Sequence, residues 1–193
     1  MIGKILRANT RAFVFGAKLP RNDVPIFGSL VKTRIQYRAA TVFGLVYDIV
    51  IQDDGMTKLL SVADDVRPED IEWQRNRRVP VEASVLCVGY QEGEKPIRQS
   101  LPAQPPIILD EVQQCSEAEM VAFTEHLRYL RLILEARDAP TDELLAANIR
   151  FAAEARPSDS ARDAFTVRAG RELTRLIATD GMRLEGLLRR ICG

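Results

Sequence analysis

The sequence predicts an α+β chain with its strands first: a small six-stranded β-barrel followed by a C-terminal helical bundle. Three observations predict it. Short apolar runs separated by Gly- and Asp-containing turns fill residues 1–93, prolines crowd the stretch after Glu94, and apolar residues recur at spacings of three and four after Ser116. No regular strand–helix–strand alternation is present, which argues against a parallel sheet. Closing six short strands into a barrel removes the unpaired edges that an open sheet would expose.

Lys4–Ala8 reads as a short first strand, with Asn9-Thr10-Arg11 as the turn into Ala12–Gly16. Ser29–Tyr37 alternates, placing Leu30, Lys32, Arg34 and Gln36 on one face and Val31, Thr33, Ile35 and Tyr37 on the other. Thr41–Gln52 is the densest in Val, Ile, Phe and Tyr and ends at Asp53-Asp54-Gly55, a hairpin signal because Gly tolerates the positive φ of the turn. Lys58–Val62 is the strand expected to pair back from that turn. Pro68 in a first helical turn with Glu69, Asp70 and Glu72 predicts a short helix before Val79–Tyr90, the last strand, which closes at Glu92-Gly93. Gly28 and Gly44 are expected at bulges or tight bends. Pro96, Pro102, Pro105 and Pro106 can neither continue a helix nor donate to a sheet ladder, so the expected organisation is a barrel over 1–93, a linker over 94–115 and a helical domain over 116–193.

In the last of these, Ser116 and Glu119 form a capping box, and Met120, Phe123, Leu127, Leu130 and Leu134 extend one apolar stripe to Arg137-Asp138-Ala139-Pro140. A second helix is expected from Thr141 or Asp142 to about Ala155, a third from Ser160, and a short fourth carrying Leu184, Leu187, Leu188 and Ile191. The helices share a period without sharing sequence, so no internal repeat is expected.

Charge restricts the function classes. The 27 basic and 27 acidic side chains cancel, with 15 basic and 13 acidic up to Asp110 and 12 and 14 beyond it, so neither half has the excess of a module held mainly by phosphate contacts. Arginine outnumbers lysine 22 to 5 and clusters at Arg75, Arg77 and Arg78 and again at Arg189 and Arg190. No apolar run reaches the ~20 residues of a membrane span. Met1-Ile2-Gly3-Lys4-Ile5 lacks the apolar core of a secretory signal, and the three cysteines are an odd count, so a cytoplasmic protein is expected.

Catalytic constellations are sparse. His126 is the one histidine, expected half-buried inside the first long helix, and any Ser/His/Asp or Cys/His site would have to use it. A closed zinc site would take Cys87, Cys115, Cys192 and His126, which have no C-x-x-C or H-x-x-x-H spacing. Cys87 reads as a core residue of its strand and Cys192 as a terminal thiol. Neither G-x-x-x-x-G-K-[ST] nor G-x-G-x-x-G occurs. Asp53-Asp54 and Asp64-Asp65 could hold a divalent metal, but turn and helix-start chemistry accounts for both. The expectation is a non-enzyme with no cofactor and no metal.

Ile2-Gly3-Lys4-Ile5, Phe13-Val14-Phe15, Val24-Pro25-Ile26-Phe27-Gly28 and Phe43-Gly44-Leu45-Val46 together resemble the HAS-barrel, the β-barrel at the N-terminus of HerA-type DNA-translocating ATPases and of rotary ATP synthase ring subunits. The resemblance covers about the first 90 residues. In the family's ATPases a P-loop domain follows the barrel; here helices without a Walker motif follow, so the resemblance implies ring assembly or docking rather than ATP hydrolysis. The expected partners are a HerA-like ATPase or a second copy, with no small-molecule substrate. Two alternatives stand beside this: a nucleic-acid-binding accessory factor, in which Trp73 stacks on a base while Arg75, Arg77 and Arg78 hold phosphates, and a metal-dependent enzyme using the Asp pairs.

Overall fold

A computed structural model of the chain describes residues 1–19, 25–35, 40–51, 67–69 and 79–192. Six antiparallel strands, β1 (Gly3–Ala8), β2 (Ala12–Leu19), β3 (Leu30–Arg34), β4 (Ala40–Ile51), β5 (Val79–Glu92) and β6 (Glu111–Gln114), close in the order β1-β2-β5-β4-β3-β6. Helices α1 (Glu117–Phe123), α2 (Leu130–Leu134), α3 (Thr141–Glu154), α4 (Asp159–Leu176) and α5 (Gly181–Cys192) follow. The α+β class, strands before helices, is therefore the observed one.

Strand alternation sorts the barrel's side chains into two cores. Ile5, Phe13, Phe15, Val31, Val42, Val46, Ala83, Val85 and Cys87 fill the interior. The opposite faces of β3, β4 and β5 send Leu30, Phe43, Leu45, Leu86 and Val88 outward into a second core shared with the helices. Burial on both faces explains why residues 42–46 and 85–88 are so continuously apolar. The turns are those the residues dictate. Asn9 Oδ1 accepts from the backbone N–H of Arg11 and Ala12 at 2.7 and 2.9 Å, and Gly93 takes a φ of 55°.

Gly28 and Gly44 sit where a bend and a bulge are needed. Gly28 has φ 85° in the turn before β3, and a Cβ there would lie 2.6 Å from that of Ala147 on α3. The β4–β5 register slips between Phe43 and Gly44, and a Cβ on Gly44 would meet Val85 at 2.4 Å.

Two expectations need correction. The sixth strand comes from within 94–115, the stretch read as a linker. Gly3 pairs with Val112 and Lys4 with Glu111 on one side of β6, and Val31 pairs with Gln114 and Lys32 with Gln113 on the other. Because β6 sews β1 to β3, the barrel extends past residue 93 to Gln114. The strand expected at Lys58–Val62 lies outside the described residues, as do Asp53-Asp54-Gly55, Asp64-Asp65 and most of the helix expected near Pro68, of which Pro68 and Glu69 are seen to be helical. Secondly, the apolar stripe from Met120 to Leu134 is two helices. Thr124 Oγ1 donates to the Met120 carbonyl at 2.7 Å at the end of α1, and Gln99 occupies the break: its Nε2 donates to the carbonyls of Phe123 and His126, both at 2.7 Å, while its Oε1 accepts from the Tyr129 N–H at 3.1 Å. The capping box at Ser116 and Glu119 is formed as expected.

Candidate functional site

The seam between barrel and helices is a packed, hydrogen-bonded joint that sets which surfaces remain outside. Asn148, on the face of α3 turned to the barrel, donates from Nδ2 to the Gly28 carbonyl at 3.1 Å, and its Oδ1 accepts from the Tyr129 hydroxyl at 2.8 Å. Burial pushes the Tyr129 hydroxyl well above its ordinary pKa, so it stays a proton donor. Phe123 packs edge-on against Tyr129 and tilted against Phe43 of β4, with ring centroids 5.2 and 5.3 Å apart. At the start of α1, Glu119 accepts from Lys32 of β3. Burial raises the Glu119 carboxyl, but bonds from Lys32 and Ser116 outweigh it and leave the pKa below the usual glutamate value.

With β3, β4 and β5 covered by helices, β1 keeps its outer face open, and there the barrel presents an apolar tip. Ile107–Asp110 forms a turn closed by the Asp110 N–H on the Ile107 carbonyl at 3.2 Å and strapped to β1 by Leu109 N–H to Ile5 carbonyl at 2.8 Å and Ile5 N–H to Asp110 carbonyl at 3.0 Å. In that turn Leu109 takes a φ of 67°, the one non-glycine residue at positive φ among the described residues. An L-residue in the left-handed region costs roughly 1–2 kcal/mol. Leu109 is nonetheless 67% exposed, beside Ile108 at 60% and near Leu6 of β1 at 43%. The fold thus holds a strained backbone in order to point large aliphatic groups into water, and strain of this kind concentrates at functional positions.

The chemistry-bearing residues are dispersed. Cys87 is buried in β5 as expected and Cys115 half-buried beside α1; burial pushes both thiols up to about 12, so neither is a thiolate near neutral pH. His126 is in the exposed break between α1 and α2, not half-buried in a helix. The chain leaves the helix at Thr124, which exposes His126 and lets Tyr129 enter the seam. Among the described residues no group of three or more His, Cys, Asp or Glu is placed to hold a metal ion. No described helix is long and apolar enough to cross a membrane. Arg189 and Arg190 are an ordinary ion-paired surface, bonded to Glu185 at 2.8 Å and Glu143 at 2.7 Å. Trp73, Arg75, Arg77 and Arg78, the contact residues read from the sequence, lie outside the described residues.

The tip was missed in the sequence because Ile107-Ile108-Leu109 falls in a proline-rich stretch read as linker. Its one available signal was three consecutive aliphatic residues in a segment otherwise polar and proline-rich. No protein-family model and no curated protein matches the chain.

Proposed function

We propose that this chain is a docking or assembly protein without catalytic activity, in which the apolar tip formed by Leu6, Ile108 and Leu109 seats against a protein partner. The observation that carries the reading is Leu109, held at positive φ with its side chain in solvent. A turn already strapped by backbone hydrogen bonds pays less ordering entropy on binding than a free loop would. The HAS-barrel resemblance of the first half supports a HerA-like ATPase ring as the partner, with self-association as the second form of the same contact.

Light scattering of the purified chain, with and without a HerA-class ATPase from the same organism, tests it. The expected result is a ring-sized assembly or a co-eluting complex, lost on Leu109→Asp while the circular dichroism spectrum stays unchanged. A species of 21.7 kDa that ignores the ATPase would end the proposal.

A further inference from the structure

Away from the tip, the helical half carries a second surface of opposite character. Arg168, Arg171, Glu172 and Arg175 fall at successive spacings of three, one and three along α4, which puts them on one helix face. That face looks across an open cleft of about 510 Å³ at Glu125, His126 and Arg128 in the break between α1 and α2. A second hollow of about 370 Å³, lined by Arg98, Gln99 and Ser100, shares His126 and Arg128 with the first, so the basic surface continues from the helices to the segment after β5.

The fold pairs Arg175 with a carboxylate but leaves the other arginines of the cleft without one among the described residues. Glu172 is taken by Arg175, with Nε to Oε2 at 3.0 Å. Arg168 is steered into the cleft by a bond from its NH2 group to the Thr124 carbonyl at 3.1 Å, an uncharged acceptor. Arg128 and Arg171 make no side-chain hydrogen bond or ion pair among the described residues. Behind the wall lies Arg156, only 8% exposed and with no carboxylate partner among the described residues. Its guanidinium bonds Thr124 Oγ1 at 3.1 Å and the Ala152 carbonyl and stacks 3.5 Å over the Phe165 ring, while burial and the neighbouring Arg168 push its pKa down. A buried cation lacking a counter-ion adds to the positive potential of the cleft, where the low-dielectric wall screens it least.

We propose that this cleft binds the phosphodiester backbone of a duplex nucleic acid, with Arg128 and Arg171 as the principal phosphate contacts and Arg168 and Arg175 flanking them. Guanidinium forks match phosphate oxygens in pairs. The two hollows in succession offer room for several phosphates rather than one. No Phe, Tyr or Trp ring lines either hollow among the described residues, so unpaired bases would find only the single His126 imidazole to stack on, and the contact reads backbone rather than sequence. The site is separate from the apolar tip and stands or falls independently of it.

Fluorescence anisotropy of the full chain with a labelled DNA duplex of about 20 bp, titrated at roughly 50 to 200 mM salt, tests the proposal. The wild-type chain is expected to bind unrelated duplex sequences alike and to weaken steeply with salt. Arg128→Ala combined with Arg171→Ala should lower affinity about tenfold or more and flatten the log–log salt slope by about 2, one phosphate per arginine. Both side chains are exposed and make no hydrogen bond or ion pair among the described residues, so the double variant should keep its circular dichroism spectrum and melting temperature. Arg189→Ala removes charge elsewhere and should leave binding unchanged. Any of three results would overturn the assignment: no binding by the wild-type chain at low salt, unchanged affinity in the double variant, or saturable binding of tripolyphosphate with none of the duplex. Loss of binding in Arg75→Ala/Arg77→Ala/Arg78→Ala with retention in the Arg128/Arg171 variant would move the contact to those residues and equally end this one.

Discussion

The barrel interior and the barrel–helix seam are both apolar cores, yet they are built differently. The interior is aliphatic and aromatic, with Thr33 bonding the Glu111 carbonyl at 3.0 Å near its edge. The seam buries Tyr129 and Asn148 among its leucines and phenylalanines. The difference follows from backbone accounting. A closed ladder satisfies its own N–H and C=O groups, so the residues inside it need only fill volume. Where α3 meets the turn before β3, the Gly28 carbonyl points out of the ladder, and a side chain must come to it. A core made by one sheet closing on itself can be purely hydrophobic; a core made by joining two kinds of element must be wired.

The two cores should therefore fail in different ways. Phe15→Ala empties the middle of the interior and should cost about 3–5 kcal/mol, read as a fall in melting temperature of about 10 °C or more. A loss below about 1 kcal/mol would mean that the barrel collapses around the void, and the contrast with the seam would weaken. Gly28→Val attacks the seam sterically, forcing a β-branched residue to φ 85° and driving its Cβ to within 2.6 Å of Ala147. It should destabilise by roughly 3 kcal/mol, the sum of a left-handed backbone penalty and overpacking. Asn148→Ala attacks the wiring instead: it strands the Tyr129 hydroxyl and the Gly28 carbonyl and should cost about 2 kcal/mol. Adding Tyr129→Phe should then recover part of that loss, which a purely volumetric seam would not allow; a double-mutant cycle gives the answer.

The smallest effect concerns acid. The folded pKa of Glu119 lies below its ordinary value of 4.5, so its contribution is fully present above that value and is lost as pH falls through the folded pKa. Both side chains of the Lys32–Glu119 pair are partly exposed, so water screens the pair and the contribution is modest. Chemical denaturation of Glu119→Gln should match wild type below the folded pKa and fall short of it near neutrality. Equal stability at both would show that this tie between β3 and α1 adds nothing.

Much of the barrel was legible because period-two alternation and Gly or Asp turns act locally. Asn9, Gly44 and Gly93 mark their turn or bulge by residue type alone. The capping box at Ser116 was equally legible, since both of its bonds fall within four residues. β6 was not. Glu111–Gln114 offers one apolar residue, Val112, and is a strand only because β1 and β3 stand on either side of it with unpaired edges. The break between α1 and α2 was hidden for the same reason: residues 120–134 keep a helical period, and the interruption comes from Gln99 and from Tyr129 entering the seam. The tip and the arginine cleft were less visible still. Leu109 becomes notable through its φ and exposure, and the cleft exists only because α4 lies across from His126 and Arg128.

The sequence by itself determined the class, the order of strands and helices, most element limits and the glycines that bend the chain, because propensity, period and capping are decided between near neighbours. Tertiary structure alone decided where the barrel closes, which helix breaks, and which charged and apolar groups share a surface. Those outcomes depend on partners tens of residues away, whose backbone groups must be paired and whose faces must be covered once the chain is compact.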